Sequence, residues 1–133
     1  MPKLEYFVVA QSLSTDRDTN VVSLFHILEE LTVPGVPGQL GGFVAVSSWN
    51  MAPDERDRDF QVSLRIHLPE GQEPRVMDNF RVNFTAEKAR HRVYLYVNGV
   101  PIEKPGELRL ELLLGGQHQA EHTLTIHVRD EEG

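Results

Sequence analysis

The last third of the chain contains the feature that most limits the fold. Leucines at positions 108, 110, 112 and 114 alternate with other residues, and Gly115-Gly116 follows directly. A period of two places one row of side chains on a core, and a Gly-Gly pair between two such runs predicts a tight turn. The return run to Val128 alternates again, so residues 107–128 form a predicted hairpin. Its leucine face requires a second layer of protein, because two strands alone are not stable in water.

The rest of the chain repeats this pattern of short strands and turns. The predicted strands are Leu4–Gln11, Val21–Leu31, Phe43–Trp49, Phe60–Leu68, Phe80–Phe84, Arg92–Val97 and Val100–Glu103. The segment Val21–Leu31 also fits a helical stripe, but its β-branched residues and its two C-terminal glutamates favour a strand. Thr32–Gly42 is a predicted Pro/Gly loop, and Asn98-Gly99 predicts a type I′ hairpin. Pro101 indicates that the strand around it lies at an edge.

Eight or nine short strands predict an all-β protein over residues 1–133, an antiparallel β-sandwich or barrel, with a frayed acidic end at Asp130–Gly133. The chain has no Cys, which fits a reducing compartment. No run approaches the roughly 18 apolar residues of a membrane span. We therefore expect a cytoplasmic protein with no membrane partner. The net charge of −7 predicts that nucleic acid is not the partner, because phosphates require a basic face.

Two stretches resemble a known family. They are NVVSLFHILEELTVPGVPG, around the Pro-rich loop, and PGELR, which leads into the last hairpin. With the strand order around them, they resemble a family of small uncharacterised bacterial proteins, a domain of unknown function, and the resemblance covers nearly the whole chain. The resemblance implies a single immunoglobulin-like or C2-like sandwich. It implies no catalytic residue and no cofactor.

Six histidines make a metal site the first chemistry to consider. His118 and His122 are four apart, so on a regular strand they share a face, whereas His127 lies on the other. Two ligands are fewer than the three or four of a zinc site. Surface or half-buried strand histidines are the simpler interpretation, and we predict neither a metal nor a cofactor.

Two loops carry clustered carboxylates. They contain Asp16 and Asp18 in the first loop and Asp54, Glu55, Asp57 and Asp59 in the third. If the strands run up and down, these loops meet at one pole of the sandwich, where a calcium site is conceivable. Arginines are interleaved with the carboxylates, and Lys88, Arg90 and Arg92 should reach the same pole. Solvated ion pairing is therefore the simpler interpretation.

The segment Lys88–Arg92 (KARHR) is the only basic cluster. Tyr94 and Tyr96 follow it closely, and basic residues beside aromatic rings are typical of a surface that binds nucleic acid. The overall acidity of the chain favours a charged surface loop instead.

The Pro-rich loop is the strongest candidate for a partner surface. It presents Leu31, Val33, Pro34, Val36, Pro37 and Leu40. These side chains either cap the open end of the core or form an exposed apolar ridge that contacts another protein. No nucleophile motif is present. We predict a non-enzymatic protein-binding or assembly module, with self-association as one option. The alternative is a small hydrolase or metal-dependent enzyme with its site in the loops at one pole.

Overall fold

Eleven β-strands form the regular structure of residues 1–129, the part of the chain that the computed structural model describes. They are β1 (Lys3–Thr15), β2 (Val22–Ile27), β3 (Glu30–Val33), β4 (Gly38–Leu40), β5 (Phe43–Asn50), β6 (Asp59–His67), β7 (Val76–Thr85), β8 (Arg90–Val97), β9 (Val100–Ile102), β10 (Gly106–Leu114) and β11 (Gln117–Val128). One short 3-10 turn covers Pro53–Glu55. No helix within residues 1–129 has the length and apolar character needed to cross a membrane. The frayed end predicted for Asp130–Gly133 lies outside the described residues.

The strands form three sheets. The first sheet has the order β2-β1-β5-β8, the second has the order β3-β11-β10-β6-β7, and a small third sheet pairs β4 with β9. The inward faces of the first and second sheets share one main apolar core. Trp49 is fully buried in it, and its indole N–H donates to the hydroxyl of Ser47 over 2.9 Å. The prediction of an all-β protein is confirmed.

The final hairpin forms as the sequence predicts. Leu108, Leu110 and Leu112 are fully buried, as are Leu124 and Ile126 on the return strand. Gly115 and Gly116 have φ values of +57° and +82°, the two positive angles that a type I′ turn requires and that glycine adopts without steric cost. The hairpin lies in the middle of the second sheet, since β10 pairs with both β11 and β6.

The prediction of one antiparallel sandwich of eight or nine strands requires correction. Residues 1–129 form eleven strands in three sheets, and β3 pairs with β11 in parallel. The predicted strand Val21–Leu31 is two strands in different sheets, and the predicted loop Thr32–Gly42 contains β4. The chain changes sheets after Ile27, where Leu28 becomes buried. β3 then pairs with the open edge of β11, a contact that no local pattern in the sequence indicates.

The predicted hairpin at Asn98-Gly99 is also wrong. β8 pairs with β5 in the first sheet, whereas β9 pairs with β4 in the small sheet. The Asn-Gly step therefore joins two sheets. Neither residue has the positive φ of a type I′ turn. Pro101 does lie at an edge, because β4 is the only strand of the described part of the chain that pairs with β9.

Candidate functional site

The outer face of the first sheet, which points away from the main core, carries a second set of apolar and aromatic side chains. In the pairing of β5 with β8, Val44 lies opposite Tyr96 and Val46 lies opposite Tyr94. Together with Ala10, the two valines form a small buried cluster separate from the main core, and Tyr94 packs against it. The first sheet is therefore apolar on both faces, and tyrosine rings lie on its outer face.

A groove of about 960 Å³ opens at one end of this outer face. We call it the basic groove; its lining comprises Glu5, Tyr6, Asn20, Ser48, Lys88, Ala89, Arg90, His91, Arg92 and Tyr94. The strand register places Ser48 between Tyr6 on β1 and Arg92 on β8. Neighbouring strands lie about 4.8 Å apart, so Tyr6 and Arg92 stand roughly 10 Å apart across Ser48.

Loops from different parts of the chain meet at this end of the sheet. Arg92 Nη2 donates to the carbonyl of Asn20 over 2.8 Å. The N–H of Met51 donates to the carbonyl of Ala89 over 2.6 Å. These bonds confirm the prediction that the first and third polar loops share a pole with the cationic residues of Lys88–Arg92. The basic groove lies at that pole.

The three cations of the groove differ in their partners. Arg90 donates to both oxygens of Glu5 over 2.7 and 2.9 Å, and this pairing raises the pKa of Arg90 above its usual value. Arg92 is held by the backbone of Asn20. Lys88 is exposed and forms no ion pair with another residue in the described part of the chain. The ammonium of Lys88 is available to an anion, whereas Arg90 must first release the carboxylate of Glu5.

Ser48 places an unpaired hydroxyl among the residues that line the groove. The residue is fully buried, and its Oγ has no hydrogen-bond partner within residues 1–129. A buried polar atom without a partner costs about 1–3 kcal/mol. The hydroxyl lies beneath the groove surface, because the residue is fully buried.

His91 lies between Arg90 and Arg92 in β8, but its ring turns to the opposite face of the sheet, on the side of Trp49. Its ring stacks on Phe84 with a centroid distance of 4.7 Å and an interplanar angle of 8°. Burial lowers the pKa of His91, so the folded protein holds the imidazole neutral to a lower pH than an exposed histidine. The positive charge of the basic groove near neutral pH therefore comes from the lysine and the two arginines.

The predicted partner surface is divided between the core and the solvent. Val33 and Leu40 are buried, and Leu31 packs partly buried against the main core. Pro34, Val36 and Pro37 are exposed, although Val36 is so for only 36% of its surface. Leu31, Val33 and Leu40 therefore cap the core. Pro34, Val36 and Pro37 remain open to a partner.

His118 and His122 lie on opposite faces of the second sheet. β10 and β11 contain a bulge, because Leu112 pairs with Ala120 but Leu113 pairs with His118. One extra residue in a strand reverses which face its side chains occupy. The expectation that these two histidines face together is therefore wrong. His122 Nε2 contacts the carbonyl of Leu28, whereas His118 lies beside Glu111.

The clustered aspartates serve loop structure. Asp16 Oδ1 accepts the N–H groups of Thr19 over 3.0 Å and of Asp18 over 2.9 Å, and these bonds lower the pKa of Asp16. Asp59 accepts the hydroxyl of Thr85. Asp54 lies in the 3-10 turn. Among residues 1–129, no group of three or more His, Cys, Asp or Glu side chains is arranged to hold a metal ion.

A charge cluster on the outer face of the second sheet is absent from the sequence predictions. Glu111 lies 3.0 Å from His67 Nε2, 2.8 Å from His118 Nδ1 and 3.5 Å from Arg65 Nη1. The two histidines lower the pKa of Glu111 to about 2. Alternation places Glu111 and His67 outward. However, only the pairing of β6 with β10 and the bulge in β11 bring His67 and His118 to Glu111.

We expect Glu111 to make stability fall in acid. Its carboxyl group binds a proton more weakly in the folded chain, so its contribution is complete above pH 4.5 and is lost as the pH falls toward 2. The loss is about 1 kcal/mol, because the cluster is at the surface and water screens it. Urea unfolding at about pH 5 and about pH 3 should show a smaller acid loss in Glu111→Gln than in the wild type. Glu107→Gln, on the same strand, is the control, and equal acid losses in all three proteins would contradict the assignment.

The sequence of residues 5–128 matches a family model described as a family of unknown function, DUF6941. The chain belongs to the DUF6941 family. The resemblance to a family of unknown function that the sequence suggests is thereby confirmed. A search of curated proteins finds no match to this DUF6941 chain.

The fold of the DUF6941 chain is similar to part of a solved structure, the Pseudomonas fluorescens alkylpurine DNA glycosylase AlkC bound to DNA containing an abasic site analog. The TM-score is 0.52 and the sequence identity is 9%, over 95% of this chain and 30% of that chain. At this identity the likeness concerns the fold alone. The DUF6941 chain spans less than a third of that protein's length.

This likeness corrects the prediction that nucleic acid is excluded as a partner. A similar fold occurs within a protein whose structure contains bound DNA, so the net charge of −7 is not sufficient to exclude nucleic acid. The physical reason is that net charge sums the whole surface. A phosphate responds mainly to charges within a Debye length, about 8–10 Å at physiological salt.

Proposed function

We propose that this DUF6941 chain is a non-enzymatic binding module that binds nucleic acid in the basic groove. The observation that carries the proposal is the convergence of Lys88, Arg90 and Arg92 in one concavity beside two tyrosine rings. Guanidinium and ammonium groups bind phosphate oxygens by charge-assisted hydrogen bonds. Aromatic rings beside such cations suit the bases attached to those phosphates.

Local charge supports this proposal despite the acidity of the whole chain. The groove contains three cationic side chains and one carboxylate, that of Glu5. Glu5 already binds Arg90 through both oxygens, the geometry that a phosphate would use. The carboxylate thus occupies the place of a phosphate and competes with one for the guanidinium.

The fold likeness to a DNA-bound glycosylase is a second support. It makes a binding role on nucleic acid compatible with this fold. It does not carry over the chemistry of that enzyme, because the DUF6941 chain spans 30% of it.

The test is the affinity for a fluorescently labelled oligonucleotide, measured by anisotropy across a salt series. We expect Lys88→Gln to weaken binding about fivefold and to lower the salt slope by about one, because one phosphate contact is lost. Glu5→Gln should strengthen binding by a similar factor, because it releases Arg90 for phosphate.

Lys104→Gln is the matched control, because it removes the same charge outside the groove lining. Equal affinities for Lys88→Gln, Lys104→Gln and the wild type would contradict the proposal. So would the absence of binding at about 50 mM salt, where phosphate contacts are strongest.

A second candidate function is protein binding through the exposed part of the Pro-rich loop. Pro34, Val36 and Pro37 remain exposed beside side chains that cap the core. Prolines stiffen this loop, so a partner would pay little entropy to order it. If Val36→Asp loses a protein partner but still binds nucleic acid, the protein and the nucleic acid bind to separate surfaces.

A further inference from the structure

All three tyrosines of the chain lie on the outer face of the first sheet. The sequence contains only Tyr6, Tyr94 and Tyr96. Tyr6 lies opposite Ser48 on β5, and the other two lie opposite Val46 and Val44 on the same strand. A period of two along β5 puts these partners on one face. Tyr6 is 37% exposed and Tyr96 is 65% exposed, so solvent reaches both rings.

The rings continue from the basic groove along the sheet. Tyr94 lines the basic groove, and Tyr96 lines a smaller neighbouring concavity of about 230 Å³ together with Ser12 and Asn98. Tyr94 and Tyr96 are two residues apart on β8, which corresponds to about 7 Å along the strand. The arrangement is a row with cations at one end and two successive rings leading away from them.

This spacing suits separated bases better than a duplex. Successive bases on one strand of B-DNA rise only about 3.4 Å, and their faces are covered by their neighbours. Rings about 7 Å apart can each stack on a different base only where the bases are splayed apart. Stacking on aromatic side chains does not depend on the base, so such a row binds many sequences.

We propose that the ligand of the basic groove is a single-stranded nucleic acid, with phosphates on Lys88 and Arg92 and successive bases stacked on Tyr94 and Tyr96. This inference rests on the proposed function. Tyr6 lies across Ser48 from Arg92 and forms the opposite wall for the sugar and base that enter the groove.

The experiment compares labelled oligo-dT and oligo-U with a duplex of the same length, by anisotropy at about 50 mM salt, where phosphate contacts are strong. We expect the single strands to bind at least about tenfold more tightly than the duplex. Tyr96→Ala should weaken single-strand binding about tenfold, and Tyr96→Phe should retain it, because stacking uses the ring. Oligo-dU differs from oligo-U only in the 2′-hydroxyl, so a comparison of these two identifies which sugar the groove accepts.

The outcomes separate this inference from the proposal on which it rests. Tight duplex binding that depends on Lys88 and is unchanged in Tyr96→Ala would overturn the single-strand inference and leave nucleic acid binding standing. Binding of neither ligand would overturn both. Tyr96 is an exposed side chain, so Tyr96→Ala should fold. If the melting temperature of Tyr96→Ala falls, Tyr96→Phe keeps the assay informative.

Discussion

Leu112→Ala lowers the free energy of unfolding by about 3 kcal/mol, the expected cost of a cavity in a close-packed core. Leu112 is fully buried. It lies in the central strand of the second sheet, opposite Ala120 on one side and Leu64 on the other. Strands on both sides restrict how far the backbone can move to fill the space. The leucine row that limits the fold in the sequence is therefore expected to carry much of its stability.

Urea unfolding followed by circular dichroism measures this effect, with the slope as a check that the unfolded state is unchanged. Arg109→Ala is the control on the same strand. Its side chain points away from the core and is 49% exposed, 3.5 Å from Glu121. An exposed ion pair contributes little, so its removal should change stability by less than about 0.5 kcal/mol. Comparable losses in Leu112→Ala and Arg109→Ala would be inconsistent with a rigid core at this position.

Val33→Asp is expected to destabilise the protein by at least about 3 kcal/mol, because it places a charge in a nonpolar environment. Val33 is 8% exposed and is part of the main core. It is the last residue of β3, where its carbonyl accepts the N–H of Arg129 and the strand pairs with β11. A buried charge that displaces this residue would therefore disturb the parallel pair as well as the core.

Val36→Asp is the matched control, three residues further along the chain, in the turn between β3 and β4. Its side chain is 36% exposed, so the charge can remain in water and the melting temperature should change little. Similar melting temperatures for Val33→Asp and Val36→Asp would contradict the division of this loop into a buried part and an exposed part. A folded Val36→Asp protein also allows the second candidate function to be examined without unfolding.

The basic groove was only partly predictable. Its residues were recognisable as a basic cluster followed by tyrosines, and their chemistry is local. Their setting was not, because Tyr6, Ser48 and Arg92 come from three strands and meet only through the register of β5 with its two neighbours. The net charge is not sufficient to exclude nucleic acid, because it takes no account of where the charges lie.

Strands and their buried faces were predictable where the signal, alternation or a turn motif, lies within a few consecutive residues. The buried positions of Phe60–Leu68 and of the final hairpin, and the turn at Gly115-Gly116, required no distant information. These elements follow from the period of two and from the freedom of glycine at positive φ. By itself, the sequence determined that the protein is built from strands and which faces most of them bury.

Only the tertiary structure decided which strands pair and where the chain changes sheets. The parallel pairing of β3 with β11, the separation of β8 from β9 and the bulge that turns His118 toward Glu111 each depend on long-range hydrogen bonds. A shift of one residue exchanges the two faces of a strand, so a local pattern cannot determine which side chains from distant strands meet. The groove and the Glu111 cluster are therefore products of register, although each of their residues is visible in the sequence.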